Sequence, residues 1–317
     1  MRRMQNILLT LGEEVAGIAL SPPADNITKV TSNLEPIGII GTGLMGTAIV
    51  ERLLAAGRPV LAWDIDAAKL AACGAQVAAD ICAVAQRCGS ILLSLPDSLV
   101  VAVVIGEMRA HLRRGTVIVD TSTGKPKEAV RLGAELQAQG VAYLDATVSG
   151  SSEQLRRGEA LILLGGDSAA QERCRDLLTA LGSPVVAVGG SGSAAQMKLV
   201  TNLVLGLNRA ALAEGLAFAE HLGLDAEKTA AILKASAAYS RIMDSKADKM
   251  IHREFSPVAR VSQHLKDVEL MLKAGESGGL ELPLTETHRG ILAKAVAAGL
   301  GDLDNSAIIE VLRRPEA

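Results

Sequence analysis

An apolar run, Ile37-Gly38-Ile39-Ile40, leads straight into Gly41-Thr42-Gly43-Leu44-Met45-Gly46, and an apolar helix-like segment from Thr47 to Ala56 follows. No other stretch of the 317 residues leaves the backbone so little choice. Strand, tight turn and helix must follow one another within a few residues. Gly41 turns where a Cβ would clash, Gly43 admits a close approach from outside, and Gly46 brings the helix down onto the strand. The helix start then presents N–H groups and a partial positive charge, which suits a pyrophosphate. A second apolar strand, Pro59 to Trp63, ends in Asp64, 21 residues after Gly43. An acid at that distance suits a ribose 2′-hydroxyl, so the segment reads as a dinucleotide site.

Apolar runs and helical stretches alternate from there to Val188. Helix Ala67–Cys73, strand Gln76–Val77, helix Ile81–Arg87 and strand Ser90–Leu95 come first. Helix Leu99–Met108, strand Thr116–Asp120, helix Lys127–Gln139 and strand Val141–Ala146 follow. A loop carrying Arg156-Arg157, strand Ala160–Leu164, one helix Ser168–Ala180 and strand Pro184–Val188 complete the series. Such alternation implies a doubly wound, Rossmann-type parallel sheet with helices on both faces. From Ser193 the pattern is helical only: Ala194–Leu222, then Ala226–Ala237, Ile242–Met250, Ser262–Ala274, Thr285–Ala298 and Ser306–Leu312. The fold class is therefore α/β, with an all-α C-terminal domain joined by a long helix. The expected parts are an N-terminal extension over residues 1–35 that is poorly ordered, a dinucleotide domain over 36–192, and a helical substrate and dimerisation domain over 193–317.

A net charge of −3 gives no electrostatic ground for nucleic acid or an anionic membrane as partner, and aromatic residues at 2% leave little for base stacking. No apolar run is long and uncharged enough to span a bilayer. Four cysteines (Cys73, Cys82, Cys88, Cys174) lack C-x-x-C spacing, and the five histidines show no metal-ligand spacing on a helix, so no metal is expected. A cytoplasmic protein with reduced thiols fits this usage.

In an open parallel sheet, ligands sit outside the carboxyl ends of the strands. The polar residues expected there are Leu95-Pro96, Thr121-Ser122-Thr123 and Thr147-Val148-Ser149-Gly150. Near the change of pattern stands Gly192-Ser193-Ala194-Ala195-Gln196-Met197-Lys198, with Asn202 one helical turn further on the same face. Spacing alone leaves two readings of Lys198 open: an acid/base group facing a substrate oxygen, or a solvated lysine on an exposed helix face.

Taken together, these separated motifs resemble the β-hydroxyacid dehydrogenase family, over residues 36 to about 312. Ile37 to Gly46 is similar to that family's cofactor fingerprint, including its Met-Gly pair. Asp145-Ala-Thr-Val-Ser-Gly150 is similar to D-A-P-V-S-G, with Thr147 for Pro. Gly192 to Asn202 is similar to G-x-G-x-x-x-K-x-x-x-N, with Ala194 for the second Gly, and Lys266-Asp267 matches a late K-D pair. Ser149-Gly150-Ser151, Met197-Lys198-Leu199 and Gly299 to Asp304 resemble the glyoxylate/succinic semialdehyde reductase branch most.

The resemblance implies an enzyme that moves a hydride between a nicotinamide and a small β-hydroxy acid or its semialdehyde. Lys198 would be the acid/base, and Asn202 would hold the substrate oxygen or the lysine. Ser149 and Gly150, with Ser151 and Ser122, would bind the substrate carboxylate. Gly41, Thr42, Gly43, Leu44, Met45, Gly46 and Asp64 would bind the cofactor. Leu95, Pro96 and Thr123 would meet its nicotinamide half, and Lys266 would approach from the helical domain. Asp64 repels a 2′-phosphate and Ile65 adds no cation beside it, which favours NAD over NADP. A homodimer or homotetramer is expected from the apolar stretch Leu203–Phe218. Two alternatives are an imine reductase-like NADPH enzyme and a non-catalytic dinucleotide sensor; an intact lysine–asparagine pair argues against both.

Overall fold

The computed structural model describes residues 34–313, so the expectation for the N-terminal extension falls, apart from Leu34 and Glu35, outside the described residues. Two compact units divide between Lys198 and Leu199.

The first unit is built on one sheet of eight strands. In chain order these are β1 (Ile37–Ile40), β2 (Val60–Trp63), β3 (Gln76–Val77), β4 (Ser90–Leu93), β5 (Val117–Asp120), β6 (Ala142–Ser149), β7 (Leu161–Gly166) and β8 (Val185–Gly189). Their spatial order is β3-β2-β1-β4-β5-β6-β7-β8. The helices between them are α1 (Leu44–Ala55), α2 (Ala67–Ala72), α3 (Ile81–Arg87), α4 (Ser98–Met108), α5 (Pro126–Gln137), α6 (Ser152–Arg156), α7 (Ser168–Arg173) and α8 (Arg175–Leu181).

The strands are buried almost continuously, and successive residues face opposite cores, which is what a sheet covered on both faces requires. Ile37, Ile39, Leu92, Val117, Val119, Leu144 and Ala146 face one core, with Ile49 and Leu53 of α1 and Leu178 of α8. Ile40, Ile91, Leu93, Ile118 and Tyr143 face the other, with Val84 of α3, Ile105 of α4 and Leu132 of α5. Aspartates set several helix starts. Asp66, Asp80, Asp97 and Asp167 each accept first-turn N–H groups of the helix that follows.

The sheet is parallel from β3 to β6, as expected. Its last two strands are not. β7 lies antiparallel to β6, and β8 is parallel to β7. The register shows what this does. Ile40 is level with Leu93, Leu93 with Asp120, and Asp120 with Asp145, so the parallel edge ends at that height. β6 continues four residues beyond, to Ser149, because β7 supplies ladder partners from Gly165 opposite Asp145 to Leu161 opposite Ser149. Its reading as a strand ending at Ala146 was therefore too short.

Two further expectations change. Arg156-Arg157 is not in a loop: α6 ends at Arg156, behind a capping box in which the Ser151 hydroxyl accepts from the Gln154 N–H. Arg156 pairs with Glu51 of α1 at 2.7 Å. The single helix expected over Ser168–Ala180 is broken at Cys174 into α7 and α8.

A long helix, α9 (Ser193–His221), starts in the first unit and supplies the first helix of the second. The second unit continues with α10 (Ala226–Ala235), α11 (Ile242–His252), α12 (Val261–Ser277), α13 (Pro283–Ala297), a 3-10 turn (Asn305–Ile308) and α14 (Ile309–Arg313). Its core joins Leu212, Leu216, Met243, Met250, Val268, Met271, Leu292 and Ile308. That core also buries polar groups. Lys246 donates to Asp304 at 2.7 Å, and Asp304 is fully buried. Arg209 of α9 is 2% exposed. The imidazoles of His264 (α12) and His288 (α13) pack with centroids 5.1 Å apart. Nε and Nη2 of Arg209 and Nε2 of both histidines have no hydrogen-bond partner among the described residues.

Candidate active site

The strand ends place the expected cofactor residues along one edge of the first unit. Gly41 follows β1 with φ +96° and sits against the carbonyl of Ser94, which follows β4. A Cβ on Gly46 would fall 1.9 Å from the Gly41 carbonyl oxygen, so α1 reaches the turn only because that position is glycine. Gly43 caps α1 without a side-chain acceptor, and a Cβ there would meet nothing within 4 Å. The first-turn N–H groups of α1 are thus left for a ligand or solvent on an open side, which fits a pyrophosphate. A Gly46→Ala variant is expected to lose about 1–3 kcal/mol of stability and its cofactor affinity together. Thermal unfolding and NADH fluorescence titration check this, and a variant unchanged in both would contradict it.

Asp64, directly after β2, is tied to the turn. Its Oδ2 accepts from the N–H and hydroxyl of Thr42 at 2.6 and 3.1 Å, and its Oδ1 accepts from the Asp66 N–H at 2.8 Å. A carboxylate has acceptor capacity beyond these bonds, so the same group can still receive a hydroxyl. Ile65 beside it is 91% exposed. The ammonium of Lys69 pairs with Asp66 at 3.1 Å.

Further along the edge, Leu95 and Ser122 come together. The Leu95 N–H donates to the Ser122 hydroxyl oxygen at 3.0 Å, and the Ser122 N–H donates to Asp120 at 2.9 Å. The Tyr143 hydroxyl donates to the other Asp120 oxygen at 2.7 Å. Burial pushes the Asp120 carboxyl up from its usual range, against the pull of Ser122 and Tyr143. Burial likewise raises the Tyr143 phenol, helped by Asp120. A small recess about one water in size opens here, with Asp120, Ser122, Tyr143, Asp145 and Thr147 on one part of its wall and Val101, Ala129 and Leu132 on another. Thr123 is half-buried and Pro96 exposed at the same edge.

The overshooting end of β6 carries the rest. Asp145 is 3% exposed and accepts from the N–H groups of Gly192, Ala194 and Ala195 at 3.0, 2.9 and 3.1 Å. Burial raises its pKa, opposed by those N–H groups. Thr147 donates its hydroxyl to the Ala194 carbonyl at 3.2 Å. The two positions at which the sequence departs from the motifs it resembles are thus joined by one hydrogen bond. The Lys198 ammonium donates to the Val148 carbonyl at 2.5 Å, which brings it to the strand that leads into Ser149 and Gly150. Ser149 is half-buried, Gly150 is exposed, and Ser151 serves as the cap of α6.

In the second unit, Asn202 is half-buried on α9 and its amide lies 3.5 Å from Asp267. Lys266 is exposed on α12. Sequence reasoning passed over Asp145 as an anchor, because its partners lie 47 to 50 residues away. It also passed over the Asp120–Tyr143 pair, since nothing in the spacing links two neighbouring strands. Among the described residues, no group of three or more His, Cys, Asp or Glu side chains is arranged to hold a metal, and no helix is long and apolar enough to cross a membrane.

A glycine turn opening onto bare helix N–H groups, an acid at the second strand end and an ammonium held at the same edge fit nicotinamide-dependent oxidoreductases of Rossmann type. Comparison with known proteins agrees and narrows the class. Residues 36–190 match the NAD binding domain of 6-phosphogluconate dehydrogenase, and residues 192–312 match the NAD-binding family of NADP-dependent 3-hydroxyisobutyrate dehydrogenase. The chain is 34% identical to 2-(hydroxymethyl)glutarate dehydrogenase of Eubacterium barkeri, over 87% of its own length and 94% of that protein's. It is 33% identical to 2-hydroxy-3-oxopropionate reductase of Escherichia coli K12, over 87% and 96%. A solved structure of Mycobacterium tuberculosis 3-hydroxyisobutyrate dehydrogenase superposes with a TM-score of 0.82 at 26% identity, covering 89% of this chain and all of that one. The chain belongs to the 3-hydroxyisobutyrate dehydrogenase-like family of β-hydroxyacid dehydrogenases, and is an NAD(P)-dependent oxidoreductase.

Proposed function

We propose that the chain interconverts a short β-hydroxy acid and its semialdehyde, with Lys198 as the proton donor and acceptor. The observation that carries this is the Lys198 ammonium at the Val148 carbonyl, one residue before Ser149. A nicotinamide, when bound, supplies or accepts the hydride. The chain's own part is to deliver a proton to the carbonyl oxygen as the alcohol forms, or remove one as it is oxidised. Ser149, Gly150 and Ser151 offer N–H and hydroxyl donors for the substrate carboxylate, with Ser122 close to the nicotinamide end. Asn202, one turn beyond Lys198, would hold the substrate oxygen or the lysine, and Lys266 would reach the cofactor from the helical unit.

Asp64 supports NAD over NADP. Its carboxylate closes the second strand, its neighbour Ile65 brings no charge, and Lys69 is already paired with Asp66. A 2′-phosphate would meet like charge there. For assembly, Val204 and Leu205 are 51% and 43% exposed on α9 and Phe218 is 60% exposed, which supports a homodimer or homotetramer sharing this helix.

The test is a matrix of initial rates: glyoxylate, succinic semialdehyde, methylmalonate semialdehyde and tartronate semialdehyde, each with NADH and NADPH, plus 2-(hydroxymethyl)glutarate with the oxidised cofactors. One acid or aldehyde turned over well, faster with the NAD form, is the expected result. A faster NADPH column would overturn the Asp64 argument alone. Cofactor binding without turnover of any of these, or reduction of an imine in their place, would overturn the proposed reaction.

A further inference from the structure

The start of α9 is laced to β6 at consecutive levels. Asp145 accepts from the N–H groups of Gly192, Ala194 and Ala195, the Thr147 hydroxyl donates to the Ala194 carbonyl, and the Val148 carbonyl accepts from the Lys198 ammonium. β7 is shaped to allow this. Gly165 stands opposite Asp145, and a Cβ on it would fall 2.4 Å from the Asp145 carboxylate and 2.8 Å from the Ser193 hydroxyl. Three of these contacts anchor the helix end as any good cap would. The Thr147 bond does something different. In α-helical geometry the Ala194 carbonyl also accepts the backbone N–H of Lys198, four residues on. The Thr147 hydroxyl therefore grips the peptide group from which the lysine hangs. Thr147 itself is 2% exposed, so the bond is shielded from bulk solvent.

We propose that Thr147 is a positioning residue for Lys198: its hydroxyl fixes the turn that carries the lysine, and so fixes where the ammonium meets the substrate oxygen. This rests on the reading of Lys198 as the acid/base. It gives β6 a second task, since the strand that offers Ser149 and Gly150 to the substrate also sets the height of the proton donor. Small displacements of a reacting group are expensive in rate, so one lost hydrogen bond shows in turnover before it shows in binding.

Thr147→Val removes the donor at nearly constant shape, and Thr147→Ser restores it. In the full-length chain with its best aldehyde, the valine variant is expected to lose about five- to tenfold in kcat, with KM and the cofactor Kd within about twofold. The serine variant should recover most of that loss. Amide exchange over residues 193–198 should quicken in the valine variant and return in the serine variant, a readout that needs no turnover. A valine variant with unchanged kcat, or one losing only stability or cofactor affinity, would overturn the proposal. So would a serine variant as slow as the valine one. Full activity in Lys198→Ala would instead sink the acid/base reading, while the exchange comparison still decides whether Thr147 holds the turn.

Discussion

Lys198→Ala is expected to lower kcat by about 10²–10⁴-fold, the usual range for removing a positioned general acid or base. The lysine is held at Val148, on the strand that runs into Ser149 and Gly150, and the glycine turn and Asp64 lie elsewhere along the edge. NADH affinity should therefore change little while turnover collapses. Steady-state rates with a fluorescence titration of NADH separate the two effects. Added methylamine should return part of the lost rate by entering the space left by the side chain. A variant that keeps wild-type turnover would refute the assignment, and one that loses NADH binding in proportion would recast the lysine as a cofactor contact.

The second large effect concerns stability in acid. His264 and His288 lie against each other in the helical unit, with the buried guanidinium of Arg209 adding to their electrostatic field. Lys246, Asp304 and Asp267 complete the charged surroundings of Arg209. Burial, then Arg209, pulls His288 down from its ordinary value to about 4. Burial, then Arg209 and His288, pulls His264 well below its ordinary value. Both rings stay neutral in the fold while the unfolded chain takes up protons below about pH 6.5. The unfolded state then binds more protons, so stability falls with pH across the window from about 6.5 to 4. For His288 alone the loss reaches about 2 kcal/mol at pH 5 and about 3 kcal/mol by pH 4. Urea unfolding followed by far-UV ellipticity at pH 7 and pH 5 measures it. His288→Gln should flatten the dependence, and an unflattened slope would show that other groups govern it.

Most of the fold was legible because its signals are local. Short apolar runs at β1, β4 and β5 and breaks at Pro96, Gly124 and Gly192 place the elements within a few residues. The glycine turn and Asp64 were legible for the same reason, since their spacing is itself the constraint. The direction of β7 was not. An apolar pentapeptide reads the same whichever way it runs, and only the ladder with β6 decides. The buried Arg209–His264–His288 group was invisible because its members come from three helices, each contributing one residue that nothing in the local sequence links to the others. Asp145 stood in a recognised motif, yet its partners at Gly192, Ala194 and Ala195 are set by the return of the chain through two strands.

That return works as a ruler. β8 runs against the parallel strands, so by direction alone it would leave the sheet at the wrong end. The extra length of β6 corrects this: β7 and β8 are displaced outward, and Gly189 finishes level with Gly165 and hence with Asp145. Strand length in this hairpin, at about 3.3 Å per residue, thus sets how far α9 starts from the glycine turn. A single-residue deletion in β7 would turn its inward side chains outward. Paired deletions in β6 and β7 would keep the packing and retract the lysine by about 7 Å for every two residues removed. Length variation among chains of this build is therefore expected in the loops and at the far end of the sheet, while the paired lengths of β6, β7 and β8 keep their count.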